Sequence, residues 1–143
     1  LVAMIQMRTK KHDSGMRIAG RLLLAIFFVL AGINHFISPK IYLGMMPPWL
    51  PMPEAANVVS GAAEIAGGLG LLIRRFRRLA GWSLIALLVA VFPANLHVAL
   101  QGHMPGLNVS PLILWLRLPF QPGLIAWVWW VALKRPESGA RQQ

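Results

Sequence analysis

Four apolar runs decide what this chain can fold into. They fall at about 18–37, 55–73, 79–100 and 112–133. Each is close to the ~20 residues a helix needs to cross a ~30 Å hydrocarbon core. Inside lipid, only helices and closed barrels satisfy their own backbone. A barrel strand alternates apolar and polar residues, whereas these runs are continuous, so they read as helices. The expected fold is an all-α membrane protein, a bundle of four transmembrane helices within 17–133. Residues 1–16 read as a basic, disordered arm, and 134–143 as a tail.

Charge agrees with this reading. Only 13% of the residues are charged, well below the roughly one-quarter of an ordinary soluble domain. The net charge of +10 would suit a nucleic-acid binder, but its placement does not. Arg8, Lys10, Lys11, Arg17 and Arg21 precede or open the first run. Arg74, Arg75, Arg77 and Arg78 join the second to the third, and Lys134, Arg135 and Arg141 follow the fourth. The other two connections carry little beyond Lys40, with Arg117 inside the fourth run. By the positive-inside rule, both termini and the RRFRR loop face the cytoplasm, and the expected location is the cytoplasmic (inner) membrane. A signal peptide is the weaker reading of the first run, because a small-x-small cleavage site is missing. There is no cysteine, which excludes disulfides, thiolate metal sites and CxxC redox chemistry. Any electrons must run through a bound cofactor or a partner.

The second run, GAAEIAGGLGLL, places an acid in an oily helix. At 100° per residue, Ser60, Gly61, Gly67, Gly68 and Leu71 share a face with Glu64, while Ala62, Ala66, Leu69 and Ile73 lie opposite. Small residues let helices approach closely, so the Glu64 stripe should face protein. An acid at that depth is costly unless paired or neutralised, with His35 and Arg117 as available partners. Glu64 reads as about seven residues into its span, roughly 10 Å from the outer side. Asn34 and His35 close the first run on that side, Asn95 and His97 lie near the outer end of the third, and Arg117 and Gln121 fall one turn apart on the fourth. Asn95 and His97 point about 200° apart, so only one faces the interior, and Asn95 is the choice.

Polar groups from all four helices therefore converge at similar depth. Glu64 and His35 are the candidate proton-exchanging residues. Asn95, Arg117, Gln121 and Asn34 are the candidate ligand contacts, and no metal site is expected. The bland alternatives are that Glu64 only holds helices together and that Arg117 reaches outward to lipid phosphates.

The segment SPKIYLGMMPPWLPMP (38–53) is long, proline-rich and apolar. It reads either as an anchor in the membrane surface, which is slightly favoured, or as a lid over a pocket. Pro119 and Pro122, in PFQPG, should interrupt regular hydrogen bonding in the fourth run and free carbonyls near Arg117.

The motifs GINHF, SPKIY, MPPWLPMPEAANVVSGAAEIAGGLGLL, RRLAGW, VFPANLHVAL and RLPFQ, in that order over 22–133, resemble the DoxX family of small four-helix membrane proteins. The resemblance implies a four-helix bundle and a redox-associated role, since relatives include a subunit of a quinone-linked oxidoreductase. It implies His35, Glu64, Asn95, Arg117 and Gln121 as motif positions. The resulting expectation is a component that binds a lipophilic, quinone-like molecule and works with a membrane or soluble redox partner protein. The alternatives are a non-catalytic anchor or assembly partner and, more weakly, a small-molecule or ion carrier.

Overall fold

The computed structural model describes residues 1–134. The expected tail, with Arg135 and Arg141, lies almost wholly outside the described residues. Five α-helices follow in order: α1 (Val2–Ile37), α2 (Pro39–Met45), α3 (Pro53–Leu72), α4 (Arg77–Gln101) and α5 (Pro111–Val128). A π-helical turn, Trp129–Leu133, continues α5. Four segments are long and apolar enough to cross a membrane: Ser14–Ile37, Pro53–Leu72, Arg77–Gln101 and Pro111–Leu133. They coincide with the four runs to within a few residues.

Two expectations need correction. The first helix begins at Val2, so the arm expected to be disordered is its first turns. That stretch has no glycine before Gly15 and no proline, and most of its residues are good helix formers. The prolines of α5 also leave the helix unbroken: Pro119 and Pro122 lie inside it. They remove two N–H donors, but the α pattern changes only at the π-helical turn.

Local signals set the helix ends. Pro39, Pro53 and Pro111 occupy the first turns of α2, α3 and α5, where a missing N–H costs nothing. Ser110 Oγ accepts from the Leu112 N–H at 3.3 Å and caps α5. Gly102 ends α4 at φ 71°, with its N–H directed at the carbonyls of Val98 and Ala99.

The bundle is tightest where α1 crosses α3. A Cβ on Gly32 would stand 2.6 Å from the Gly61 carbonyl oxygen, and one on Gly61 would stand 2.7 Å from His35 Cβ. Only glycine at both positions lets the two backbones meet. The stripe on α3 is as its periodicity predicts. Gly61, Gly67, Gly68 and Leu71 are buried, while Ala62, Ala66, Leu69 and Ile73 are exposed.

Two apolar clusters flank the middle of the molecule. One, near the RRFRR end, is built on Leu24, Phe28, Leu71, Leu84 and Val128. The other joins Met45 of α2 to Val98, Ala99 and Leu114. Large apolar side chains such as Leu23, Ile26, Leu30, Val59, Val89 and Leu116 remain exposed around the outside. In water that surface would aggregate, but in a bilayer it is solvated by lipid tails. The chain is a multi-pass, all-helical membrane protein.

Candidate functional site

Between the two clusters lies a cavity of about 350 Å³, within the size range of small-ligand pockets. All four long helices and α2 line it. Its walls are largely apolar, from Phe27, Phe28, Met45, Met46, Phe120 and Leu124, with His35, Tyr42, Glu64, Asn95, Arg117 and Gln121 set among them.

The segment 38–53 is therefore a lid. Met45 is buried against α4 and α5, and Tyr42, Met45 and Met46 face the cavity. Trp49 and Met52 at its far end stay exposed. Tyr42 stacks on the His35 ring, with centroids 3.7 Å apart and planes at 22°. Asn34 Nδ2 donates to the Tyr42 hydroxyl at 2.9 Å. Asn34 is exposed and outside the cavity lining, so it fixes the lid rather than touching the cavity.

His35 is buried and oriented from two sides. Asn57 Nδ2 donates to the His35 carbonyl at 3.0 Å. This turns Asn57 Oδ1 toward His35 Nδ1, 2.8 Å away, so Nδ1 carries a proton. The other ring nitrogen, Nε2, lies 3.5 Å from Glu64 Oε2. A bare nitrogen lone pair facing a carboxylate would be repulsive. A proton on either group therefore stabilises their approach.

Among the described residues, two buried oxygens make no hydrogen bond: Gln121 Oε1, and Glu64 Oε2, which has His35 Nε2 3.5 Å away. Gln121 is only 4% exposed, and its Nε2 donates to the Leu88 carbonyl at 3.0 Å, which fixes the amide orientation. Buried acceptors without donors are uncommon and costly. These two come from α3 and α5, and both residues line the same cavity.

Arg117 is part-buried and also faces the cavity. Its described hydrogen bond runs from Nη1 to Met104 Sδ at 3.5 Å, not to a carbonyl freed by proline. Among the described residues, no carboxylate lies within ion-pairing distance of it, since the ion-pair contact found is His35–Glu64. Asn95 lines the cavity and His97 does not. Because α3 begins at Pro53, Glu64 lies about 16 Å along it, near the helix midpoint.

Sequence reasoning missed Asn57 and Tyr42. Asn57 lies seven residues before Glu64, nearly on the same helical face, and that periodicity could have found it. Tyr42 is the single tyrosine of the chain, but its place over His35 depends on how α2 folds back.

Fold and site together describe a four-span membrane protein with a covered, mostly apolar internal cavity and the His35–Glu64 pair at its edge. Residues 24–132 match a family described as a domain of unknown function (DUF8561), and the chain belongs to that family. The matched stretch contains all the cavity-lining residues named above. No curated protein and no solved structure matches the chain.

Proposed function

We propose that this protein binds a lipophilic, quinone-like molecule in the cavity and exchanges protons with it, as a redox-associated component of the cytoplasmic membrane. One observation carries the reading: the unpartnered Gln121 Oε1 and the buried Glu64 Oε2, with His35 Nε2 3.5 Å away, come from different helices that line one apolar cavity. A hydroquinone offers two hydroxyl donors on opposite edges of a flat apolar ring, which suits that arrangement. In the oxidised form its carbonyls accept from Arg117 and from the proton shared by His35 and Glu64. The Met and Phe walls pack the ring.

Reduction of a quinone consumes two electrons and two protons. Here the protons pass one at a time through the His35–Glu64 pair, and the electrons come from a membrane or soluble redox partner protein. An isoprenoid tail needs a way out to the lipid. Phe27 of α1 and Phe120 of α5 line the cavity and are also exposed on the outside. Their rings meet edge to face at 6.5 Å, so they would have to part for a tail to leave between α1 and α5. The resemblance of the sequence motifs to the DoxX family points to the same assignment.

Protein purified gently from native membranes is expected to carry extractable quinone near one per chain. Glu64→Gln should lower that amount several-fold with little change in the unfolding midpoint. Wild-type protein without quinone would overturn the proposal. A second reading, a non-catalytic anchor or assembly partner, is favoured by the two Asn57–His35 bonds that tie α1 to α3. It predicts that Glu64→Gln lowers stability and that a protein partner co-purifies without quinone.

A further inference from the structure

The opposite end of the bundle carries a second feature that the cavity does not use. Arg17 and Arg21 of α1, Arg77 and Arg78 of α4, and Lys134 beyond the π-helical turn surround one recess of about 200 Å³. That is several times the roughly 30 Å³ share of one water molecule.

A basic cluster is ordinarily a topology signal whose side chains spread into solvent. Two members of this one cannot spread. Arg17 Nη2 reaches the carbonyls of Trp130 and Lys134, at 2.8 and 2.7 Å. Its guanidinium also lies 5.8 Å from the centre of the Trp130 ring. Arg77 Nε donates to the Leu71 carbonyl at 3.1 Å, closing the end of α3. Both charges are thus held in place by the backbone of other helices. Arg21 is half-buried beside them. Like charges fixed around one recess repel, and an anion placed among them relieves that repulsion.

The chemistry of the recess selects the anion. Guanidinium forks match the oxygen pairs of a phosphate. Its position fits as well. Arg17 and Arg21 fall in the first turns of the first span, Arg77 and Arg78 open the third, and Lys134 follows the fourth, so all five gather at one end of the spans. Basic recesses between transmembrane helices are a recurrent way to hold anionic headgroups. We propose that this recess is a binding site for one phosphate group, either the phosphodiester of an anionic phospholipid or free phosphate.

The test uses the full chain reconstituted in nanodiscs of phosphatidylcholine containing a minority of phosphatidylglycerol. Native mass spectrometry counts the lipid that stays bound, and titration with inorganic phosphate in zwitterionic detergent measures the free anion. Arg21→Gln and Arg78→Gln are the informative variants, because neither arginine makes a described backbone bond. Each should reduce phosphate-group binding about ten-fold, the scale of one lost charge-assisted hydrogen bond. Lys40→Gln, at the lid end, should leave it unchanged. Retained phosphatidylglycerol that inorganic phosphate does not displace identifies the lipid as the source, whereas direct saturable binding of inorganic phosphate identifies the free anion. Equal retention of the two lipids with no phosphate binding, or equal loss in the Lys40 variant, overturns the site.

Discussion

At the scale of single residues, the pairing of Asn57 with His35 separates two kinds of polar group in the cavity wall. Asn57 satisfies His35 on one side and lies outside the cavity lining, whereas Glu64 and Gln121 line the cavity and Gln121 Oε1 has no partner among the described residues. Substituting them should therefore have opposite signatures. Asn57→Ala removes both bonds and leaves a buried ring nitrogen unsatisfied, so it should destabilise by ~1–3 kcal/mol. It should lower the unfolding midpoint in detergent and free the His35 ring. Gln121→Leu removes an orphaned acceptor along with the bond to Leu88, so its stability loss should be smaller while ligand retention falls. Equal destabilisation by both changes, measured by thermal unfolding with and without added quinone, would mean that Gln121 is only structural. The residues that a sequence shows best are those that break a pattern. Glu64 is legible because an acid is conspicuous in an apolar helix. Asn57 is not, because an asparagine near a helix start resembles a capping residue until the partner across the crossing is known.

At the scale of elements, α1 and α3 are joined by close backbone approach rather than by interlocking large side chains. Gly61 has no room for a side chain, since its Cβ would meet His35 Cβ at 2.7 Å and the Gly32 carbonyl at 3.0 Å. Gly61→Val should force the crossing open and cost ~1–3 kcal/mol or more. Because His35 is the residue displaced, the His35–Glu64 pair should separate too. Gly123 on α5 is the control: a Cβ there meets nothing within 4 Å, so Gly123→Ala should cost no stability. Unfolding midpoints of the two variants in the same detergent check the contrast. The glycine stripe was readable from periodicity alone, because a helix fixes which residues share a face. The lid was not. Composition gives α2 the same apolar residues whether it lies in the headgroups or over the bundle. Only Met45 packing against Val98 and Leu114 decides between them, and that contact joins residues far apart in the chain.

At the scale of the whole molecule, the charge asymmetry and the cavity define two different ends. The lid and the open side of the site belong to one end, and the fixed arginines belong to the other. The four spans were legible from length and apolarity because the bilayer imposes a single thickness on every crossing segment. The cavity was only partly legible, since its volume depends on how four helices and a lid leave space between them. The orientation expected from charge places the RRFRR end in the cytoplasm and the lid outside. The absence of cysteine makes this directly testable, because one introduced thiol is then the only one in the chain. Ser110→Cys, on the exposed turn before α5, should react with a membrane-impermeant maleimide on intact cells. Phe76→Cys, half-exposed in the arginine loop, should react only after permeabilisation. The reverse pattern would invert the molecule. The lid and the His35–Glu64 pair would then face the cytoplasm, and the phosphate recess would meet the outer leaflet. Neutralising Arg74, Arg75 and Arg78 together, while leaving Arg77 to hold the Leu71 carbonyl, should shift a measurable fraction of molecules toward that inverted labelling. The same change to Lys40 should not, because a single charge at the lid end contributes little to the bias that twelve at the other end create.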